Sequence, residues 1–443
     1  MSMHFLWTDK CFLTVLTLAF VSIIRGLRKQ HIRRAFLAIF RKPIAVSAAI
    51  VLMFFLMIGV LDSIHLTTKT VADSLLDRVL SPLGEAYEKT YSAPFALTLY
   101  SSETVLIQGQ VEQVYPRLIY PIPAIKNEVD RRHYMMMAMG KALLVSLFVV
   151  MLLWGGFVVF RRVVLGQLHF AVNASEISAL LTLFIGFVVI IGSYWLSRDL
   201  HIFGTGKIGQ DIFYYTVKSI RTGLVIGILT TLVMMPLALL LGIAAGYFGG
   251  IIDDVIQYIY TTLSSIPGVL LITAAVLSMQ TYIANHPQQF TTLAENADAR
   301  LLALCLILGV TSWTSLCRLL RAEALKLREI DFVLAARALG SGSFKIIYKH
   351  LLPNVMHIVL ITMILDFSFL VLAEAVLSYV GVGVSPMTIS WGNMINAARL
   401  ELAREPIVWW PMVAAFIVMF ILVLASNLFA DAVRDAFDPH QVK

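Results

Sequence analysis

The sequence is poor in charge. Asp, Glu, Lys and Arg make up 14% of its 443 residues, against roughly 25% in soluble domains, and that deficit excludes an ordinary water-soluble chain. Cysteine is almost missing. Cys11, Cys305 and Cys317 lie in or beside apolar runs, so no disulfide framework is indicated. No clustered Ser/His/Asp group and no metal-spaced His/Cys set occurs, and the scattered histidines read as surface or packing residues. The glycine-rich run at 201–211 fails as a phosphate loop: such a loop needs Gly, four residues, then Gly-Lys-Ser/Thr, whereas Ile208 follows Lys207 and His201 stands at the first glycine position. No internal repeat is evident. Residues 12–24 are apolar, but their main basic cluster follows rather than precedes them, which argues against a cleavable leader.

What is present is apolar length. The chain is 59% hydrophobic with a mean hydropathy of +0.84, the signature of a polytopic membrane protein. Residues 44–61, 142–160, 177–196, 223–248, 255–282, 301–317, 355–380 and 408–428 each offer about the 20 residues that a helix needs to cross a bilayer. Residues 5–24 are nearly long enough but carry Asp9 and Lys10, and both a span and an interfacial helix stay open there. The net charge of +7 does not require nucleic acid. Arg25, Arg28, Lys29, Arg33, Arg34, Arg41 and Lys42 form a juxtamembrane cluster that orients the chain with this segment inside. Arg318, Arg321, Lys326 and Arg328 mark the same side. The division expected is 1–43 (N-terminal segment), 44–61 (first core span), 62–141 (extracytoplasmic insertion), 142–196 (inserted hairpin), 197–430 (core, with a cytoplasmic loop at 318–354) and 431–443 (tail). Within the insertion, Val71, Leu75, Val79 and Leu83 predict helix over 70–90, and the β-branched, aromatic stretch 95–120 predicts strand before Pro121-Ile122-Pro123.

Residues 331–354 are a polar island between spans. Ala, Leu and Arg favour helix over 331–339, Asp331 suits an N-cap and Gly340 a left-handed C-terminal position. A second short helix is expected over 344–352, with Pro353 in the first turn of the next. Pro236 and Pro267 lie inside spans as kinks or hinges. Gly246, Gly249 and Gly250 permit close helix contact. Asp366 and Glu374 share one span, eight residues apart and roughly on one face. Intramembrane carboxylates are costly and face a bundle interior or a wet cavity.

The spacing of Ala335, Ala336, Gly340, Leu352 and Pro353 resembles the Ala-Ala…Gly…Leu-Pro loop of binding-protein-dependent ABC importer permeases. Arg337-Ala338-Leu339, His350 and Asn354 point to the oligopeptide/dipeptide branch, although Leu334 replaces the usual acidic residue. His201-x-x-Gly204-Thr205-Gly206…Gly209-Gln210-Asp211 resembles the family's signature before its second span. Gly206 and Gln210 replace the usual Asp and Arg, so the ion pair between those two positions is absent. Gly246-Tyr247-Phe248-Gly249-Gly250…Asp253, Glu374-Ala375-Val376-Leu377-Ser378-Tyr379, Ser390-Trp391-Gly392-Asn393 and Asp431…Arg434-Asp435…Asp438-Pro439 extend the likeness across about 201–439. The resemblance implies an all-α polytopic fold, a type I importer permease core of about six transmembrane helices with an inserted hairpin. It implies a non-catalytic, multi-pass subunit of the bacterial inner membrane that seats the 318–354 loop in a separate ATPase. The implied partners are a second homologous permease, two ABC ATPase subunits, an extracytoplasmic substrate-binding protein and the lipid bilayer, with no nucleic acid. ATP and Mg would be bound by the ATPases and no cofactor by this chain. Peptide is the cargo implied; nickel, opine and antimicrobial-peptide systems share the pattern. A secondary transporter or a membrane scaffold is the reading from other classes.

Overall fold

The computed structural model describes residues 2–28, 30–68, 71–81, 83–85, 87–107, 110–120, 125–165, 173–286, 288 and 292–437. In chain order the elements are β1 (Ser2–His4), α1 (Trp7–Leu27), α2 (Gln30–Ile39), α3 (Pro43–Ser63), β2 (His65–Thr68), β3 (Val71–Ser74), α4 (Leu75–Val79), β4 (Glu103–Ile107) and β5 (Gln110–Val114). Then come α5 (Glu128–Leu165), α6 (Ala174–Ser197), α7 (Ile212–Phe248), α8 (Gly250–Ser265), α9 (Gly268–Asn285), α10 (Leu293–Ser312), α11 (Thr314–Arg328), α12 (Asp331–Ala338) and α13 (Ser343–Ile346). A π turn at Ile347–Leu351 leads into α14 (Leu352–Val380), followed by α15 (Trp391–Glu401) and α16 (Trp410–Phe437). Among the described residues, nine helical segments are long and apolar enough to cross a membrane, beginning with Trp7–Gly26. Helix is forced there because the hydrocarbon offers backbone N–H and C=O groups no other partner.

The boundaries depart from the sequence reading in several places. The expected helix over 70–90 is a strand, Val71–Ser74, and a five-residue helix. Ser74 ends the strand by capping α4: its hydroxyl accepts from the Asp77 N–H while the Asp77 carboxylate accepts from the Ser74 N–H. The apolar i, i+4 series therefore straddles two elements. The strand expected within 95–120 is present as the β4–β5 hairpin, while Pro121-Ile122-Pro123 lies outside the described residues. The third long helix starts at Glu128 rather than 142. The span read as 255–282 is broken at Ile266-Pro267 into α8 and α9, and that read as 301–317 is extended and divided at Trp313. Helix α7 continues through Pro236 without interruption.

Two compact units are formed. The first comprises the chain up to His4, Phe36–Arg221 and Ile389–Phe429; the second comprises Phe5–Ala35, Thr222–Thr388 and the chain from Ala430. In the first, α3 and α6 pack through a polar seam. The Thr182 hydroxyl donates to Ser47 Oγ at 2.8 Å, the Ser47 and Ser178 hydroxyls are 2.7 Å apart, and Ser178 donates to the Pro43 carbonyl at 3.0 Å. Gly186 lies under the Phe54 ring, so close that a Cβ there would collide with it. Strand β1 pairs antiparallel with β2, Ser2 opposite Thr67, and β2 with β3, His65 opposite Ser74. That pairing fixes the route of the N-terminus. Residues 2–4 lie beside the segment that follows α3.

In the second unit, a core of Trp313 and, from α11, Leu316, Leu320, Ala324 and Leu327 meets Tyr247, Val333, Ile346, Leu351 and Val355. Helix α11 approaches α7 closely: a Cβ on Gly246 would lie 2.6 Å from the Ala324 Cβ. Helix α1 meets α10 in the same unit, where Thr8 donates its N–H to the Asp298 carboxylate at 3.1 Å.

Candidate functional site

The polar island 331–354 folds as an elbow on that second core. Helix α12 begins at Asp331, with Ile330 in the N-cap position and no side-chain cap; Asp331 is therefore the first helical residue, not the cap expected. The C-terminus is as the sequence suggests. Gly340 has φ +75°, Ser341 donates its N–H to the Ala336 carbonyl and Gly340 to that of Arg337, each at 3.0 Å. This paired arrangement ends a helix where only glycine is at ease. The second short helix is shorter than expected, Ser343–Ile346, and opens into the π turn. Pro353 explains the widening: it lacks an N–H, and its ring would clash with the carbonyl four residues back in an ordinary turn. Asn354 donates its side-chain amide to the His350 carbonyl at 2.7 Å.

The elbow is anchored on one side and bare on the other. Val333, Ile346 and Leu351 are fully buried. Arg337 lies over the Tyr247 ring at 5.5 Å and Phe332 beside His350 at 5.9 Å. Facing away are Leu339 (86% exposed), Phe344 (85%) and Tyr348 (76%). Ala335, Gly340, Pro353 and Asn354 are exposed; Ala336, His350 and Leu352 are half-buried. So the resemblance residues lie within one elbow, from α12 to the start of α14, and the bare apolar side chains between them are the part that the sequence did not single out. Their only signal was three large apolar residues bracketing the 341–343 break, which also reads as the buried side of a helix.

Behind the elbow, the Arg321 guanidinium grips Asp253 at the start of α8 and holds that carboxyl below its ordinary range. Gly249 (φ +66°) and Gly250 (φ +54°) make the sharp turn from α7 to α8. Nothing crowds Gly250, so Gly246 serves helix contact while Gly249 and Gly250 serve the turn. Pro267 separates α8 from α9.

In the first unit, the 201–211 signature is a closed loop clasped by the insertion. His201 Nδ1 lies 2.6 Å from Asp211 Oδ2, and Nε2 lies 3.7 Å from Glu88 Oε1. Glu88 also accepts backbone N–H groups from Ile119 and Tyr120 at 2.9 and 2.8 Å. Burial alone would lower the His201 pKa, but the two carboxylates outweigh it and push it up to about 9. Burial alone would raise that of Glu88, but His201 and the two N–H groups outweigh it and hold it low. Where the Gly206/Gln210 ion pair is absent, the Gly206 N–H donates to the Gln210 carbonyl at 2.9 Å. Trp391 is buried and donates its indole N–H to the Thr216 carbonyl at 3.1 Å.

The two carboxylates of α14 diverge. Glu374 is buried and accepts from the Ser378 hydroxyl at 2.7 Å. Asp366 is half-buried. Eight residues turn a helix by about 80° beyond two full turns, enough to send one inward and leave the other at the edge of the exposed face. In the tail, Asp431 and Arg434 pair at 3.9 Å with both side chains largely exposed, worth only a few tenths of a kcal/mol; Asp438 and Pro439 lie outside the described residues.

Among the described residues, nine membrane-length helical segments with a short two-helix elbow between long ones define an integral membrane protein. Residues 238–443 match the family described as "Binding-protein-dependent transport system inner membrane component". The chain belongs to this family and is a multi-pass inner-membrane protein. It is 32% identical over 242 residues to the dipeptide transport system permease protein DppC of Lactococcus lactis, covering 55% of this chain and 64% of that one. It is 31% identical over 240 residues to the glutathione transport system permease protein GsiD of Pectobacterium atrosepticum, covering 54% and 72%. It is 31% identical over 239 residues to the oligopeptide transport system permease protein OppC of Mycobacterium bovis, covering 54% and 76%.

Proposed function

We propose that this chain is the membrane subunit of an ATP-driven importer of peptides, built with a second homologous permease and two ATPase subunits and fed by an extracytoplasmic substrate-binding protein. The observation that carries the reading is the elbow: Leu339, Phe344 and Tyr348 are bare while Val333, Ile346 and Leu351 beneath them are sealed. Large apolar side chains clustered on a polar surface element mark a contact surface. The partner expected there is the ATPase. The printed functions of the relatives, dipeptide, oligopeptide and glutathione transport, support peptides as cargo.

The basic segments 25–42 and 318–328 lie in the cytoplasm. Nine crossings then put the first residues and the 62–127 insertion outside and the tail inside. The chain itself does no chemistry and binds no nucleotide; ATP and Mg are held by the partner ATPases. Closure of those ATPases pushes the elbow. Because α11, α12 and the α14 root share one core, the push turns the spans as rigid bodies between inward- and outward-open states. Uptake of labelled peptide into proteoliposomes holding the whole assembly tests this. Accumulation is expected only with ATP and both ATPases present; accumulation by the permeases alone, or none with all parts present, would overturn it.

A further inference from the structure

Asp366 stands fourteen residues after Leu352 and fourteen before Val380 on α14, about 21 Å from either end at 1.5 Å per residue. A carboxylate at mid-depth is expensive unless something meets it. Other acidic groups of this unit are answered within the chain: Asp253 by Arg321, Asp298 by Thr8 and Glu374 by Ser378. Asp366 makes no hydrogen bond or ion pair among the described residues. Its neighbour Phe367 fixes how α14 is turned. The Phe367 ring occupies the space over Gly227 on α7, where a Cβ would collide with it, and Glu374 is turned into the packed side.

On the stripe that Asp366 begins, Phe369, Ala373, Val376 and Leu377 follow at three, seven, ten and eleven residues, one helical face. Those four line a cavity of about 540 Å³ between α14, α9 and α10, within the range of small-molecule sites. Ile266, Val269, Ile272 and Leu308 make its far walls. Its polar groups are uncharged hydroxyls, among them Thr311 and Ser312, and no charged side chain lines it. The stripe from Asp366 to Leu377 rises about 16 Å, roughly the length of four or five extended residues.

We propose that Asp366 and this cavity form a cargo subsite that takes a cationic amine at the carboxylate and an apolar side chain in the cavity. The inference rests on the peptide-importer reading and sharpens it to peptides with a free amino group and a hydrophobic residue nearby. The carboxylate supplies the counter-charge that the amine loses on leaving water, the hydroxyls offer partners to peptide amides, and the apolar walls shelter the side chain.

The test uses the complete assembly in proteoliposomes with Ala-Leu-Ala and its N-acetylated form as labelled probes. The readout is the ratio of their kcat/KM values. The same binding protein serves every variant, so its own preference cancels. Asp366→Asn should lower the ratio of free amine to acetylated probe about tenfold from that of the unaltered protein, and Asp366→Glu should restore most of it. Ala373→Leu, which narrows the cavity without touching charge, should lower uptake of Ala-Leu-Ala relative to triglycine about fivefold. An unchanged ratio in Asp366→Asn, or equal loss of both probes, would overturn the subsite and leave the importer standing; equal loss would assign Asp366 to pairing with a cation of the second permease. Unchanged discrimination in Ala373→Leu would mean that lipid or a partner helix fills the cavity, and would overturn the apolar half. Failure of the unaltered assembly to move either peptide would overturn the peptide reading and the subsite together.

Discussion

Arg321 holds Asp253 through two parallel hydrogen bonds, Nε to Oδ1 at 2.5 Å and Nη2 to Oδ2 at 2.6 Å, and so fastens α8 to the helix that leads into the elbow. Both side chains are partly exposed, so solvent takes back some of the attraction. Charge-assisted bonds of this kind are worth roughly 1.5–3 kcal/mol. Asp253→Ala and Arg321→Ala should each destabilise the protein by about 1–2 kcal/mol. The double variant should cost little more than either alone, because the two residues act as a unit. Thermal unfolding in detergent across the four proteins measures this; full additivity would show that the bonds are not made.

Gly340→Asp separates folding from docking. Nothing lies within 4 Å of a Cβ at 340, so the fold pays only for the left-handed backbone, about 1–2 kcal/mol. Insertion and melting should be nearly normal while co-purification of the ATPase falls at least tenfold. Gly340→Asn, which tolerates the same backbone without a charge, should keep most of the binding. Quantitative pull-down of the ATPase from solubilised membranes checks both.

His201 gives a pH dependence with a definite sign. The groups facing it are Asp211, Glu88 and the Tyr120 ring at 4.8 Å. Its pKa when folded, about 9, lies above the unfolded value of about 6.5. The stabilisation from the charged ring is therefore fully present below about pH 6.5 and is lost as pH rises through about 9. Melting temperature should fall between pH 7 and 10, and His201→Gln should start lower and flatten that part of the profile. Differential scanning fluorimetry of the two proteins across that range reads it directly.

The spans were legible because a bilayer imposes one requirement, about 20 apolar residues in helix, that composition alone reveals. The left-handed Gly340 was legible for the same kind of reason, since one backbone position admits few residues. Other features depend on contacts between distant residues. Val71–Ser74 was misread because its strand partners are His65–Thr68 and, beyond them, Ser2–His4, more than sixty residues earlier. The division at Trp313 falls between α10, which packs on α1 and α9, and α11, which packs on α8 and α14, and leaves no local mark. Glu88 drew no notice as one acidic residue among many, yet it completes the His201 clasp from 113 positions away. Asp366 and Glu374 read as a pair by spacing; only packing distinguished Glu374, turned inward, from Asp366, which has no partner among the described residues.

The central claim is that the elbow is a cytoplasmic contact for a separate motor subunit. Labelling of Phe344→Cys, in a chain otherwise free of cysteine, with a membrane-impermeant maleimide tests it most directly. Labelling is expected in inside-out vesicles stripped of ATPase, to be absent in intact cells, and to fall at least fivefold when the ATPase is restored. Labelling in intact cells, or labelling in stripped vesicles that the ATPase does not reduce, would contradict the account.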